Sequence, residues 1–504
     1  MTDFEKIGDW LKKNITKKDL FGMIGAVFLF LGTRLYNILL LPIFTDEGIY
    51  IRWAKVAWHD ATWRFISLTD GRQPLQTWGT IPFLKLFPNN ALLGGRLFSV
   101  AMGLFALCGL FALLYRLFGK KTAWIGVLLY IFSPYFLFYD RMALIDSGVN
   151  AFFIWIILFS VLLASSLRLD VALLFGMVAG FGLLAKSSVQ MFFAVSFFTG
   201  FLLIPYGKKP IQKAINYLLL FGISFALSEL IYNVQRLSPF MHYITDKNGT
   251  FVMTFGEWIK SPFAVLFSNL KTVPYYVFAE SGWIVVPFAC IALFFLFKKN
   301  IRLFLFFVTW LLVPYLGISA MTRVLYPRYI IFFGTLLVIL TAYVLGEIKN
   351  KRILTVSLSL IIGVFLIFQY PMWTNYQKIL FPPVDRGQYI DGVPVGYGIK
   401  EIIAYAREKS KEKPVIILAE GNFGLTGDML DTFLLPTDTR ISLQGLWPLT
   451  KNDLLAHQKD IGKNYVYVVT AHYLTYPSDW PIHLLQAFYK QNKEAAIQLF
   501  ELTK

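Results

Sequence analysis

Residues 20–49 read LFGMIGAVFLFLGTRLYNILLLPIFTDEGI. About twenty of these in a row are apolar, enough to carry an α-helix across the hydrocarbon core of a bilayer. The run ends in two adjacent carboxylates, Asp46 and Glu47. Acids placed there sit at the membrane–water boundary rather than in the bilayer. They keep their charge and can act as a base on something that meets the membrane surface.

The rest of the chain repeats the first half of that pattern. It has 504 residues, 57% hydrophobic and 15% charged, with a mean hydropathy of +0.58. Those values exclude an ordinary soluble enzyme and describe a polytopic membrane protein. Phe (49), Tyr (26) and Trp (13) supply interfacial anchors. The net charge of +17 would suggest nucleic acid on a soluble protein. Here the cations fall in short loops between apolar runs, so orientation explains them and no nucleic-acid partner is expected. Cys108 and Cys290 both lie inside apolar runs, which argues for buried fillers rather than a disulfide.

Eleven apolar segments are predicted, at 20–42, 92–115, 122–138, 148–167, 170–185, 189–205, 213–232, 281–297, 303–319, 329–346 and 353–370. The fifth and sixth are short and read as a re-entrant pair. Alternate connections carry Lys6, Lys12, Lys13, Lys17 and Lys18; Arg116, Lys120 and Lys121; Arg168; Lys208, Lys209 and Lys213; Lys298, Lys299 and Arg302; and Lys349, Lys351 and Arg352. By the positive-inside rule that side, with the N-terminus, faces the cytoplasm. The other connections and everything after about residue 371 then face outward.

Residues 372–504 change character and hold no further span. Residues 414–420 and 465–470 read as buried strands, and 399–412 as a helix. The fold expected is an all-α polytopic membrane domain of about 11 transmembrane helices over 1–371, followed by a small soluble α/β domain over 372–504. In the first outward loop Trp53, Ala57, Ala61 and Phe65 recur every fourth residue. They predict a helix that either lies flat in the interface or packs on protein. The turn Gly421-Asn422-Phe423-Gly424 after a strand reads as a ligand-binding turn or a plain surface turn.

Charged groups at span ends on the non-positive side run against the orientation rule, and they gather around Asp46 and Glu47 in this reading. They are Arg72, Arg96, Arg141, Asp146, Lys186 and Arg328. One or two carboxylates among several cations is what transfer from a phosphate-linked donor requires. The carboxylate takes a proton from an acceptor hydroxyl, and the cations stabilise charge growing on the departing phosphate. The five histidines are scattered without a paired spacing, so no zinc site is expected. A transporter or flippase for lipid-linked sugars is the rival from another class, but no paired halves appear in the hydropathy. A non-catalytic scaffold is the third, and it leaves the charged cluster without a purpose.

The motifs come in a familiar order: Asp46-Glu47 after the first span, Gln73-Pro74-Leu75-Gln76-Thr77-Trp78 leading to Arg96-Leu97, Arg141-Met142-Ala143-Leu144-Ile145-Asp146-Ser147, Leu184-Ala185-Lys186 and Pro327-Arg328-Tyr329. Over residues 20–370 the chain resembles GT-C glycosyltransferases, in particular the protein O-mannosyltransferase and aminoarabinose–lipid A transferase branch. The resemblance implies a multi-pass cell-membrane enzyme that takes a sugar from a polyprenyl-phosphate donor. It would place that sugar, with inversion, on an extracytoplasmic acceptor, whether protein, membrane lipid or glycan. It casts Asp46 as general base and Glu47 as its support or an acceptor contact. Arg141, Lys186 and Arg328 would hold donor phosphate; Arg72, Arg96 and Asp146 would contact substrate. A divalent cation, the rule in the related oligosaccharyltransferases, is not expected in this branch. Two departures stand out: Gln73-Pro74-Leu75 replaces the Pro-Pro-Leu of many relatives, and the C-terminal domain has no counterpart in the pattern.

Overall fold

The computed structural model describes residues 16–504 apart from residues 208 and 422. Lys6, Lys12, Lys13, Lys208 and Asn422, all used in the sequence reading, lie outside the described residues.

Helix α1 (Lys17–Leu35) opens on a capping box. Asp19 N–H donates to the Thr16 hydroxyl, and Thr16 N–H donates to the Asp19 carboxylate. It stops at Leu35, well before the predicted end at residue 42. Arg34 in its last turn is fully buried and pairs with Asp140 at 3.2 Å. Asn37 then takes a left-handed φ of 48°, and its amide donates to the Trp373 carbonyl at 2.9 Å. Residues 38–43 therefore cross the end of the bundle and deliver Asp46 to the first turn of α2 (Thr45–His59). Helix α3 (Leu75–Leu86) follows on the same side.

The bundle continues through α4 (Ala91–Phe118), the bent pair α5 (Lys120–Phe132) and α6 (Pro134–Asp140), α7 (Asp146–Ser166), α8 (Leu169–Leu183), α9 (Val189–Leu203) and α10 (Pro210–Tyr232). A short-helix connection, α11 (Tyr243–Phe251) and α12 (Phe255–Lys260), leads to the second bent pair, α13 (Leu266–Glu280) and α14 (Val285–Lys299). Helices α15 (Ile301–Met321), α16 (Ile331–Glu347) and α17 (Lys351–Thr374) complete it. Each predicted apolar segment contains a helix. Among the described residues six helices are long and apolar enough to cross a membrane, or up to eight if each bent pair is one span. Helices α8 and α9, 15 residues each, reach only about 22 Å of a roughly 30 Å core. Helix α13 was not predicted because Lys271, Pro274 and Glu280 interrupt its apolar run.

Two helices form the centre. The apolar stretches of α7 and of the segment ending in α16 are each 89% buried, against 22% for α10 and 17% for α17, which form the rim. Rim helices are held by close backbone approach. A Cβ on Gly176 of α8 would lie 2.7 Å from the Ser224 carbonyl of α10, and Gly180 one turn on faces Ile231. This small-xxx-small spacing seats α10 directly on α8.

Beyond α17 the chain does not leave the bundle at once. Asp385 is fully buried and accepts a hydrogen bond from the Tyr139 hydroxyl of α6. Only then come α18 (Ile399–Ser410), β1 (Val415–Glu420), α19 (Leu425–Phe433), β2 (Ile441–Leu446), α20 (Lys451–His457), β3 (Tyr465–Thr470), β4 (Ile482–Tyr489) and β5 (Ala496–Leu502). The sheet order is β2-β1-β3-β5-β4; β1 runs parallel to β2 and β3, while β5 is antiparallel to β3 and β4. The two predicted strands are β1 and β3, its buried centre. The architecture is an all-helical membrane domain carrying a small α/β domain.

Candidate functional site

Helix α2 turns its two acids in opposite directions. Glu47 is fully buried and uses every acceptor position it has. Oε1 takes Arg96 Nε at 2.8 Å and the Ala143 amide at 2.7 Å. Oε2 takes Arg96 Nη2 at 2.8 Å and the Phe44 amide at 3.0 Å. Arg96 spends its remaining donors on the carbonyls of Ile38 (2.6 Å), Leu41 (3.1 Å) and Pro42 (3.2 Å). The pair thus staples the crossing segment 38–44 to α4 and to the turn before α7.

Asp46, one residue earlier, faces a cavity of about 520 Å³. Arg72 Nη2 reaches its Oδ1 at 3.2 Å and Arg328 Nη2 its Oδ2 at 2.9 Å. Burial pushes its carboxyl pKa up, but the two guanidiniums outweigh that and hold it at about 2. The first turn of α2 adds a favourable dipole. Burial also raises the nearby Tyr50 hydroxyl to about 12.

Arg72 also pairs with Asp70 at 3.0 Å, and Asp70 with Lys247 at 2.8 Å. Lys186, in the turn between α8 and α9, pairs with Asp146 at 3.1 Å and lies 3.9 Å above the Tyr329 ring. Two contacts fasten that turn to the Arg72 loop: Leu75 N–H to the Leu184 carbonyl (3.0 Å) and the Gln73 amide to the Ser187 hydroxyl (2.6 Å). Four cations (Arg72, Lys186, Lys247, Arg328) therefore meet three carboxylates (Asp46, Asp70, Asp146) in and beside the cavity, a formal excess of one positive charge. An anion is the ligand such a set lacks.

The structure brings together five of the sequence-predicted residues: Asp46, Arg72, Asp146, Lys186 and Arg328 all line the cavity. It moves three out of direct contact. Glu47 and Arg96 form the sealed staple just described. Arg141 donates to the carbonyls of Met372 (3.0 Å), Tyr36 (2.9 Å) and Asn37 (2.8 Å). Burial, with Arg96 and Arg34 nearby, lowers its pKa to about 9. It collects free carbonyls at helix ends and does not line the cavity. Sequence reasoning missed Lys247 and Asn248 of α11, whose amide donates to the Ser187 hydroxyl at 3.1 Å. His242, Asp246, Glu257 and Trp258 of the same connection do not line the cavity. Among the described residues, no group of three or more His, Cys, Asp or Glu side chains is placed to hold a metal ion.

The α/β domain grips the Asp46 turn from two sides. Residues Phe44 and Val395 form an antiparallel bridge, with Gly396 N–H to the Ile43 carbonyl (2.7 Å) and Thr45 N–H to the Pro394 carbonyl (3.0 Å). Buried Lys490, just past β4, donates to the Val395 carbonyl. On the other side α19 packs against α2. A Cβ on Gly48 would lie 3.0 Å from the Asp428 and Met429 backbone, and Arg52 meets Asp428 at 2.6 Å. Trp53 is buried here and Ala61 and Phe65 lie beyond α2. The helix therefore packs on protein rather than lying flat on the membrane.

Residues 72–232 match the profile of the dolichyl-phosphate-mannose-protein mannosyltransferase family. No curated protein sequence is significantly similar to the chain. Among solved structures the chain is similar to ArnT from Cupriavidus metallidurans. In the apo state the TM-score is 0.59 at 14% identity, covering 95% of this chain and 98% of that one. With undecaprenyl phosphate bound it is 0.62 at 12% identity, covering 96% and 98%. It is also similar to the archaeal oligosaccharyltransferase AglB from Archaeoglobus fulgidus in complex with an inhibitory peptide and a dolichol-phosphate, with a TM-score of 0.54 at 11% identity over 92% and 70%. The chain has the GT-C fold.

Proposed function

We propose that this chain is a membrane glycosyltransferase that moves a sugar from a polyprenyl-phosphate donor to an acceptor hydroxyl at the extracytoplasmic face, inverting the anomeric centre. One observation carries the reading: Asp46 is held by Arg72 and Arg328 on the wall of a cavity with one positive charge in excess. The similarity to ArnT bound to undecaprenyl phosphate supports a lipid phosphate as the anion.

The two guanidiniums give the site an order of events. A carboxylate held at about 2 is a feeble base. A donor phosphate competes for the same forked donors, which fit phosphate as well as carboxylate. As Arg72 and Arg328 turn to phosphate oxygens, Asp46 loses what depressed its pKa and becomes more basic only once donor is present. The acceptor oxygen then attacks the anomeric carbon. The bond from that carbon to the phosphate oxygen breaks with its electron pair going to phosphate, and the hydroxyl proton passes to Asp46. Lys186, Lys247 and the arginines stabilise the departing phosphate. Glu47 and Arg96 hold the turn that aims the base, and Asp146 orients Lys186.

Asp46→Asn tests this directly. Transfer of label from a polyprenyl-phosphate sugar falls by about 10²–10⁴-fold, while binding of the donor lipid is kept. Full transfer by that variant overturns the base assignment.

A further inference from the structure

A second cavity, of about 340 Å³, lies between the membrane domain and the α/β domain and shares no lining residue with the Asp46 cavity. Its floor is the crossing segment Leu39–Ile43 together with residues 89–92, which start α4; its roof is the stretch from Gly396 to Glu401 with parts of α18 and α19. Two span ends bound it, so it opens at the depth where lipid head groups sit. Its edge is apolar and exposed at Leu39, which is 43% exposed. Tyr397 adds an aromatic ring with a polar tip, suited to that depth.

Charge separates this cleft from the Asp46 cavity. Lys400 stands beside Glu401, and Arg407 is held bidentately by Asp438, at 3.0 and 2.8 Å. These four cancel, where the Asp46 cavity keeps a positive excess. Beside these charges the lining offers neutral hydrogen-bonding groups: the Asn89 amide and the hydroxyls of Tyr376 and Tyr397. A phosphate would find no excess of positive charge here. A cluster of sugar hydroxyls would find donors, acceptors and two aromatic faces.

We propose that this cleft is a second lipid site, which takes the uncharged, sugar-bearing head group of a membrane glycolipid. It stands apart from the donor assignment and does not depend on it. The site also has a route to the reaction centre. Ile43 and Gly396 line it, and they are the two partners of a hydrogen bond in the bridge that holds the Asp46 turn.

The test uses the full chain in phosphatidylcholine nanodiscs doped either with diglucosyl diacylglycerol or with phosphatidylglycerol, read by native mass spectrometry after detergent release. The glycolipid is retained about tenfold more than phosphatidylglycerol, and Asn89→Ala combined with Tyr397→Ala removes that preference. Asp46→Asn retains the glycolipid as the unaltered chain does. Equal or greater retention of phosphatidylglycerol, no retained glycolipid, or a preference that survives the double substitution overturns the proposal. Binding of undecaprenyl phosphate, measured on the same samples, reports separately on the donor cavity, so failure of one reading is not failure of the other.

Discussion

Asp46 and Glu47 are joined by one peptide bond and live in different chemistries. Glu47 is sealed, saturated and committed to one arginine. Asp46 faces a cavity and is shared between two arginines that come from distant loops. Successive residues on a helix point about 100° apart, and here that angle separates a wall from an opening. A carboxylate with every lone pair occupied in a dry site can fix geometry but cannot accept a proton. A carboxylate whose partners a ligand can take away can do both in turn.

The contrast breaks most visibly at Glu47. Glu47→Ala leaves Arg96 buried and unpaired, and removing one partner of such a pair costs about 3–5 kcal/mol. Thermal unfolding in detergent should show the loss, with activity falling as folded protein falls. A variant as stable as the parent but inactive would put Glu47 in the chemistry after all.

Arg72→Gln tests the other half. As the proposed base, Asp46 works only when ionised, so activity is expected to fall as pH drops through its pKa. Held at about 2, that limb lies below the working range. Without Arg72 the pKa rises, and the acid limb of kcat/KM moves up by about one unit or more. The same sign governs stability: Asp46 contributes above its unfolded pKa and that contribution is lost as pH falls toward about 2. A pH profile unmoved by Arg72→Gln would mean that Arg72 does not tune the base.

The smallest effect is expected at Gly48, where α19 touches α2. The Cβ of Gly48→Ala sits 3.0 Å from fixed backbone, so α2 must shift by a few tenths of an ångström. The expected result is a severalfold loss of kcat with little change in donor KM. A loss confined to donor KM would show that the contact serves binding rather than aim.

The apolar segments were legible because hydrocarbon allows few solutions, and each predicted segment holds a helix. The cavity residues were half legible. Sequence marks every charge that sits at a span end against the orientation rule, and Asp46, Arg72, Asp146, Lys186 and Arg328 are such charges. Arg96 and Arg141 give the same signal for another reason: they gather carbonyls freed where helices break. No pattern in a single sequence separates an arginine that waits for phosphate from one that satisfies backbone. Lys247 was invisible because α11 is short and polar, without a periodicity to place it. Strands β4 and β5 were missed too; β4 is largely exposed, and neither alternates cleanly.

The grip of Lys490 and the Pro394–Gly396 segment on residues 43–45 ties the Asp46 turn to the α/β domain. The turn that carries Asp46 is thus secured by residues that lie far along the sequence, at the edge of the α/β domain. A chain whose α/β domain has not yet folded holds the charged groups of the cavity without the contacts that fix the Asp46 turn. Folding of the one domain therefore sets the aim of the other, and a variant whose α/β domain is unfolded would be inserted but idle.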